Sequence, residues 1–193
     1  MKDQTEEIIK ETAKKMFFAE GRFMATTQEI ADEAGVNRTL INYYFRSRDN
    51  LLSIILEEAK MLDMERYKII LQNNEQDIRS MVSDFIDNTI ENSLKYPYLE
   101  TYIVSQMNNG SFFEQSDVSE IVTVLFQCLE EEMEKGNIEK VEPIQFLLNM
   151  ISLVNFPLVN RPLIQQNLNI SNQEYKRILS RRKEVILQTL FKK

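Results

Sequence analysis

Between Val36 and Tyr96 the chain contains neither glycine nor proline. Both residue types interrupt regular structure, so a stretch this long without them predicts long helices joined by short connections. All 193 residues together hold only four glycines and four prolines, and the alternating apolar pattern of strands is nearly absent. We therefore predict an all-α protein.

The composition narrows the range of functions. No histidine is present, which excludes Ser-His-Asp and Cys-His catalysis and every His-based metal site. No glycine-rich phosphate-binding motif occurs, and no paired arrangement of carboxylates or lysines suggests catalysis. We therefore expect no enzyme, no metal and no cofactor.

The chain also lacks the signals of secretion or membrane insertion. No apolar run reaches the roughly 18 residues of a membrane-spanning helix, and the N-terminus is polar and acidic, unlike a signal peptide. The single cysteine, Cys128, cannot form an internal disulfide. These features predict a cytoplasmic protein with no membrane partner.

Capping residues and breakers divide the chain into helices. The predicted N-caps of the first four are Asp3 with Glu6, Thr26 with Glu29, Asn37, and Ser47. These helices are expected to end at or near Gly21, Gly35, Phe45 and Ile70. Further helices are predicted near 75–95, 98–107, 117–135, 143–157 and 172–191, with Pro157 and Pro162 ending the one that Pro143 begins.

The segment 26–45 is the most informative part of the chain. Two short helices meet at Ala34-Gly35-Val36, with glycine where a helix-turn-helix needs a tight turn. Their apolar seam would consist of Ile30, Val36, Ile41 and Phe45. That packing leaves Arg38, Thr39, Asn42 and Tyr43 on an outer face, and arginine and asparagine read guanine and adenine by bidentate hydrogen bonds. Groups suited to DNA phosphates flank this face at Thr26, Thr27, Tyr44 and Arg48.

These positions resemble the tetracycline-repressor (TetR) family of regulators. The similarity runs Phe23-Met24-Ala25-Thr26-Thr27-x-x-Ile30-Ala31-x-x-Ala34-Gly35-Val36, then Ile41-x-Tyr43-Tyr44-Phe45-x-Ser47-Arg48-x-x-Leu51-Leu52. The resemblance covers the first third of the chain. It departs from the family at Arg22, which separates Gly21 from Phe23, and at Leu40 and Asn42, so no operator sequence can be transferred from a relative.

The resemblance implies a domain organisation and a set of DNA contacts. Residues 1–47 would form a three-helix DNA-binding domain, and residues 48–193 a helical ligand-binding and dimerisation domain. The base-facing residues it implies are Gln28, Arg38, Thr39, Asn42 and Tyr43. The phosphate contacts it implies are Thr26, Thr27, Tyr44 and Arg48.

The C-terminal segments suggest a homodimer. Residues 144–156 are apolar on most sides, so a helix there needs cover on the core side and from a partner chain. A central core helix is the alternative. The expected dimer contacts are Leu147, Ile151, Val154, Ile178 and Ile186.

The sensing region is less defined by its sequence. Apolar residues that could line a ligand pocket are Phe85, Tyr102, Met107 and Phe126, although aromatic residues at helical spacing also serve as plain core. Between Ile69 and Glu134 there are 13 acidic residues against two basic ones, which favours a neutral or cationic, apolar effector.

Charge is compatible with DNA binding despite the net value of −7. Residues 1–60 hold 9 Lys/Arg and 11 Asp/Glu, while residues 36–48 contain three arginines and no acid. The distribution of charge matters more than its sum.

We expect a repressor that binds a palindromic operator as a homodimer and is released by a small-molecule effector. The alternative is a helical dimerising interaction protein that keeps the N-terminal motif only as structure.

Overall fold

A computed structural model describes residues 2–72, 77–108 and 116–191, with side chains for 4–59, 61, 77–105 and 122–191. Over these residues the chain contains α-helices, one π-helical segment and no strand, which confirms the all-α prediction. The helices are α1 (Lys2–Lys14), α2 (Thr27–Ala34), α3 (Arg38–Phe45), α4 (Arg48–Gln72), α5 (Ile78–Lys95), α6 (Leu99–Asn108), α7 (Ser116–Glu134), α8 (Pro143–Val159), α9 (Arg161–Leu168) and α10 (Asn172–Leu190).

The first helix differs from its prediction at both ends. It begins at Lys2, so Asp3 lies in its first turn and not before it. At its C-terminal end α1 continues as a π-helical segment, Lys15–Ala19, before the chain turns at Gly21. A π-helical turn is wider than an α-helical one and shifts the faces of its side chains. Met16, Phe17 and Phe18 are consequently all buried.

The predicted caps of the next three helices are confirmed. Thr26 and Glu29 form both hydrogen bonds of a capping box, and Gly35 ends α2 in the left-handed conformation. The Asn37 side chain accepts a hydrogen bond from the Thr39 backbone N–H, at 2.9 Å. The Ser47 hydroxyl accepts one from the backbone N–H of Asn50 at 3.1 Å.

The prediction that Pro157 ends its helix was wrong. Helix α8 passes through Pro157 to Val159, and a further helix, α9, follows and contains Pro162 near its N-terminus. Proline has no N–H, so the carbonyl of Leu153 four residues earlier loses its helical donor. The Arg182 guanidinium of α10 supplies two donors to that carbonyl, with Nε at 3.2 Å and Nη2 at 3.0 Å. This contact across two helices replaces the hydrogen bond that proline removes.

The buried side chains form two clusters. The first contains the inner faces of α1, α2 and α3, and it extends into α4 and to Leu99 of α6. The second is formed by α5, α7, α8 and α10. The first core therefore continues beyond residue 47, and the domain boundary at 47/48 stays a prediction.

None of the described helices is, by itself, long and apolar enough to cross a membrane. Helices α8 and α9 reach the required length and apolarity only as a pair, and they are bent by 69° at their junction.

Candidate DNA-binding site

The predicted helix-turn-helix is formed by α2 and α3. Ile30, Ala31, Ile41 and Phe45 are buried between these helices and their neighbours, each with at most 1% of its surface exposed. Gly35 joins the two helices with a φ of 66°, a conformation that side-chain-bearing residues rarely adopt. Burial of this seam fixes which face of α3 stays open.

The outer face of α3 carries the residues that the sequence predicts to read bases. Arg38, Thr39, Asn42 and Tyr43 are all exposed, Tyr43 to 66%. Tyr44 is half-buried, and its ring packs edge-on against Tyr43 with centroids 5.1 Å apart. The structure therefore brings four of the five predicted base-facing residues together on one short helix, with Tyr44 at its edge, while Gln28 lies on α2.

Three of the predicted base-facing side chains have hydrogen-bond partners that limit their freedom. The Arg38 Nε donates to the Thr27 hydroxyl oxygen at 3.1 Å, which ties the start of α3 to the start of α2. That contact uses Thr27 as an acceptor and leaves its hydroxyl hydrogen available for an anion. Gln28, on the exposed side of α2, donates its amide to Asp32 at 2.8 Å. The Thr39 hydroxyl donates to the Asn37 side chain at 2.8 Å.

The predicted phosphate contact Thr26 is occupied by its capping box. Its backbone N–H and its hydroxyl both donate to Glu29 Oε2, at 2.8 and 2.9 Å. These hydrogen bonds lower the pKa of the Glu29 carboxyl, with a smaller contribution from Arg22. Arg22 itself lies within 3.4 to 3.8 Å of Glu29, Glu20 and Glu33. Contact of Thr26 with a phosphate thus requires the Glu29 carboxylate to move.

Arg48 is turned towards the protein interior. Its Nε donates to the backbone carbonyl of Ala25 at 2.8 Å, and its Nη1 lies 2.7 Å from Asp49 Oδ1. The guanidinium also covers the Phe17 ring, 5.2 Å from the centroid. These contacts fasten α4 to the loop before α2. A phosphate role for Arg48 stays a prediction.

Sequence reasoning missed how α6 is attached to the DNA-binding helices. The backbone N–H of Tyr98 donates to the carbonyl of Phe18 at 3.0 Å. Tyr102 packs on Phe18 and Phe23, with ring centroids 5.9 and 5.3 Å apart. Burial in this cluster raises the pKa of the Tyr102 hydroxyl. The sequence feature that could have indicated this attachment is the pair of tyrosines on either side of Pro97, Tyr96 and Tyr98.

The residues predicted to line a pocket are divided by the structure. Tyr102 belongs to the first core, whereas Phe85 and Phe126 pack against the second. The Met107 side chain lies outside the described residues. The described residues do not bring the four predicted side chains together, and the pocket stays a prediction.

The predicted dimer set needs a correction. Val154 and Ile186 are 1% and 0% exposed, because they fill the core between α8, α5 and α10, and they cannot meet a partner. Leu147 is half-buried against the same core. Ile151 and Ile178 are 37% and 42% exposed. The large apolar side chains left open on the neighbouring helices α8 and α10 are Ile144, Leu148, Ile151, Phe156, Ile178 and Val185.

Comparison with known families agrees with this geometry. Residues 9–54, from α1 to the first two turns of α4, match the family model for bacterial regulatory proteins of the tetR family. Over these residues the chain belongs to the TetR family. The matched residues are those that form most of the first core, together with the outer face of α3. This TetR-family protein is a DNA-binding transcriptional regulator.

Relatives of this chain match most or all of its length. It is 25% identical over 195 residues to YttP of Bacillus subtilis, named a probable helix-turn-helix transcriptional regulator, covering 90% of this chain and 86% of that protein. The crystal structure of HlyIIR, a hemolysin II transcriptional regulator, matches with a TM-score of 0.62 at 20% identity, covering all of both chains. A TetR-family regulator from Pectobacterium atrosepticum matches with a TM-score of 0.57 at 14% identity, covering 100% of this chain and 96% of that one. At these identities the two structures establish the fold alone.

Potential metal ligands in the described part of the chain are acidic side chains and the single cysteine. No group of three or more Cys, Asp or Glu side chains is arranged there to hold a metal ion. Cys128 is half-buried, and burial raises the pKa of its thiol, which disfavours the reactive thiolate.

Proposed function

We propose that this regulator is a ligand-responsive repressor, which binds a palindromic operator as a homodimer and is released by a small-molecule effector. The observation that carries the proposal is the outer face of α3, where four exposed polar side chains lie on a helix fixed by a buried seam. A two-fold dimer presents this face twice. We expect half-sites about one helical turn, or a multiple of it, apart.

We assign Arg38 to base reading. Its contact with Thr27 holds the guanidinium at the N-terminal end of α3 and leaves its other two nitrogens without a hydrogen-bond partner in the described residues. We assign the remaining base contacts to Gln28, Thr39, Asn42 and Tyr43. Phosphate contacts are assigned to Thr26, Thr27, Tyr44 and Arg48, as the family resemblance implies.

Selection of duplexes from a random library, followed by binding measurements, tests this assignment. Arg38→Ala should weaken binding to the best site by about 1–3 kcal/mol and relax the preference at one base position per half-site. Arg38→Lys is the matched control, because it keeps the charge and loses the bidentate geometry. Tyr44→Phe should weaken binding equally across sequences. Unchanged sequence preference in Arg38→Ala would contradict the assignment.

The dimer is assigned to the open faces of α8 and α10. Monomers rarely expose several large apolar side chains on neighbouring helices without a partner, and a stable homodimer interface buries upwards of about 2,000 Å². Ile151→Glu would place an unpaired carboxylate in that interface and should give a monomer with much weaker operator binding. Gln4→Glu, which adds the same charge at an exposed side chain of α1, is the control in sedimentation experiments. A dimeric, fully DNA-bound Ile151→Glu protein would refute this interface.

The response to an effector is assigned to the helices beyond the first core. Support comes from α6, because its first turns pack into the core that also positions α2 and α3. A displacement of α6 would therefore shift the DNA-binding helices. The effector should be apolar and neutral or cationic, given the excess of acidic residues between 69 and 134.

A thermal-shift screen of compounds, followed by duplex-release measurements on each hit, tests the response. A compound that releases the operator must bind the free protein more tightly than the DNA-bound protein. We therefore expect the apparent affinity of every such compound for the protein to fall when operator is added. Hits that stabilise the protein and leave operator affinity unchanged would contradict the proposal. A wild-type protein that selects no duplex at low salt would instead favour the helical interaction protein.

A further inference from the structure

The junction between α3 and α4 is a γ-turn centred on Arg46. Arg46 has φ 63° and ψ −44°, and the Ser47 backbone N–H donates to the Phe45 carbonyl at 2.7 Å. Positive-φ γ-turns are rare and strained. Two more hydrogen bonds hold the turn, from the Arg46 backbone N–H to Asn42 O at 3.0 Å and from the Asn50 side chain to Phe45 O at 2.9 Å.

The residue at the centre of this turn is unexpected for its backbone. Positive φ favours glycine, because a Cβ then approaches the neighbouring backbone, and an arginine there costs stability. No contact of the Arg46 side chain within the described residues offsets this cost. Arg46 is exposed, and within the described residues its guanidinium makes no ion pair and no hydrogen bond. A strained position that carries an unused cation suggests a partner outside the chain.

The other cations of the N-terminal region are neutralised, which makes Arg46 stand apart. Among the side chains described in residues 4–59, the ion pairs are Lys10 with Glu7 and Glu58, Lys14 with Glu11 and Glu58, Lys15 with Glu20 and Glu33, Arg22 with Glu20, Glu29 and Glu33, and Arg48 with Asp49. In this region only Arg38 and Arg46 lie outside an ion pair, and Arg38 is hydrogen-bonded to Thr27.

We propose that Arg46 is the main phosphate contact of each half-site, held beside the DNA-reading helix by the strained γ-turn. This inference rests on the proposed operator binding and adds a division of roles. Arg38 reads sequence, while Arg46 supplies most of the sequence-independent, salt-dependent attraction. Each arginine–phosphate contact releases counterions and contributes about 0.9 to the slope of log K against log salt.

Arg46→Gly separates the proposal from a purely structural role. Glycine relieves the backbone strain, so thermal stability should stay equal or rise, whereas DNA binding should weaken by about tenfold or more. The slope of log K against log salt should become shallower by about 1.8, for two copies in a dimer. The probes are a duplex enriched by the wild-type protein from a random library and a duplex of scrambled sequence, and both should lose affinity to a similar degree.

Three further variants complete the test. Arg46→Lys should keep most of the affinity and the salt slope, because a lysine still binds phosphate. Arg22→Gln removes an ion-paired cation and should change the slope far less than Arg46→Gly does. Arg177→Gln makes the same change in net charge at an exposed side chain of α10 and should leave the slope unaltered.

The outcomes separate this inference from the proposed function. If the wild-type protein enriches a duplex and Arg46→Gly binds it with the same affinity and slope, the inference fails and operator binding stands. If Arg22→Gln flattens the slope as much as Arg46→Gly does, the special role of Arg46 is refuted. A wild-type protein that enriches no duplex overturns both.

Discussion

Removal of the Arg182 guanidinium should expose how α8 tolerates a proline in its interior. Arg182 donates twice to the carbonyl of Leu153, which Pro157 has left without its helical donor. A buried carbonyl without a partner costs about 1–3 kcal/mol, and hydrogen bonds from charged groups lie at the stronger end of their range. Because this contact is only part-buried, water replaces some of it. We expect Arg182→Ala to lower the free energy of unfolding by about 1–2 kcal/mol.

A double-mutant cycle isolates this contact from the general effect of losing an arginine. Pro157→Ala restores an N–H four residues after Leu153, so the carbonyl no longer needs Arg182. In that background Arg182→Ala should cost clearly less, which gives a coupling energy of about 1 kcal/mol. Arg181→Ala is the matched control, because Arg181 is exposed on the same helix, and it should change stability by less than about 0.5 kcal/mol.

The assay is urea unfolding followed by far-ultraviolet circular dichroism at one fixed protein concentration, since a dimer's stability depends on concentration. In thermal unfolding, each kcal/mol corresponds to a shift of about 2–4 °C in Tm for a chain of this size. If Arg182→Ala matches Arg181→Ala, or costs the same with and without Pro157, the proline-compensation argument is refuted.

Two other predictions concern the DNA-binding helices. A Cβ at Gly21 would lie 3.1 Å from three atoms of the Tyr98 ring, whereas one at Gly35 meets nothing within 4 Å, although both glycines have positive φ. Gly21→Ala should therefore cost about 1–3 kcal/mol more than Gly35→Ala in urea unfolding, and equal costs would contradict the close contact. The pKa of Glu29 is lowered in the folded protein by hydrogen bonds from Thr26, so its stabilising effect is present at neutral pH and is lost as the pH falls through that lowered pKa. Glu29→Gln should flatten the dependence of Tm on pH in the acid range, and parallel curves for both proteins would exclude this contribution.

Local sequence determined the helices and the DNA-reading motif. The caps at Thr26, Asn37 and Ser47 act within three residues of themselves, and the turn at Gly35 depends on the backbone freedom of a single residue. Interactions of such short range can be predicted from neighbouring residues alone, without knowing which distant segments pack against them. The apolar seam of α2 and α3 follows from helical spacing for the same reason.

Other features were decided only by contacts between distant parts of the chain. Val154 and Ile186 turned inward because α5, α7, α8 and α10 together form a core that periodicity along one helix cannot assign. Pro157 stayed inside its helix because Arg182, 29 residues from Leu153, supplies the missing donors. The positive φ of Arg46 at the α3–α4 junction is a further feature that no sequence pattern predicts for an arginine. Propensity and spacing predict the helices, whereas their neighbours decide which side chains stay exposed and free to bind.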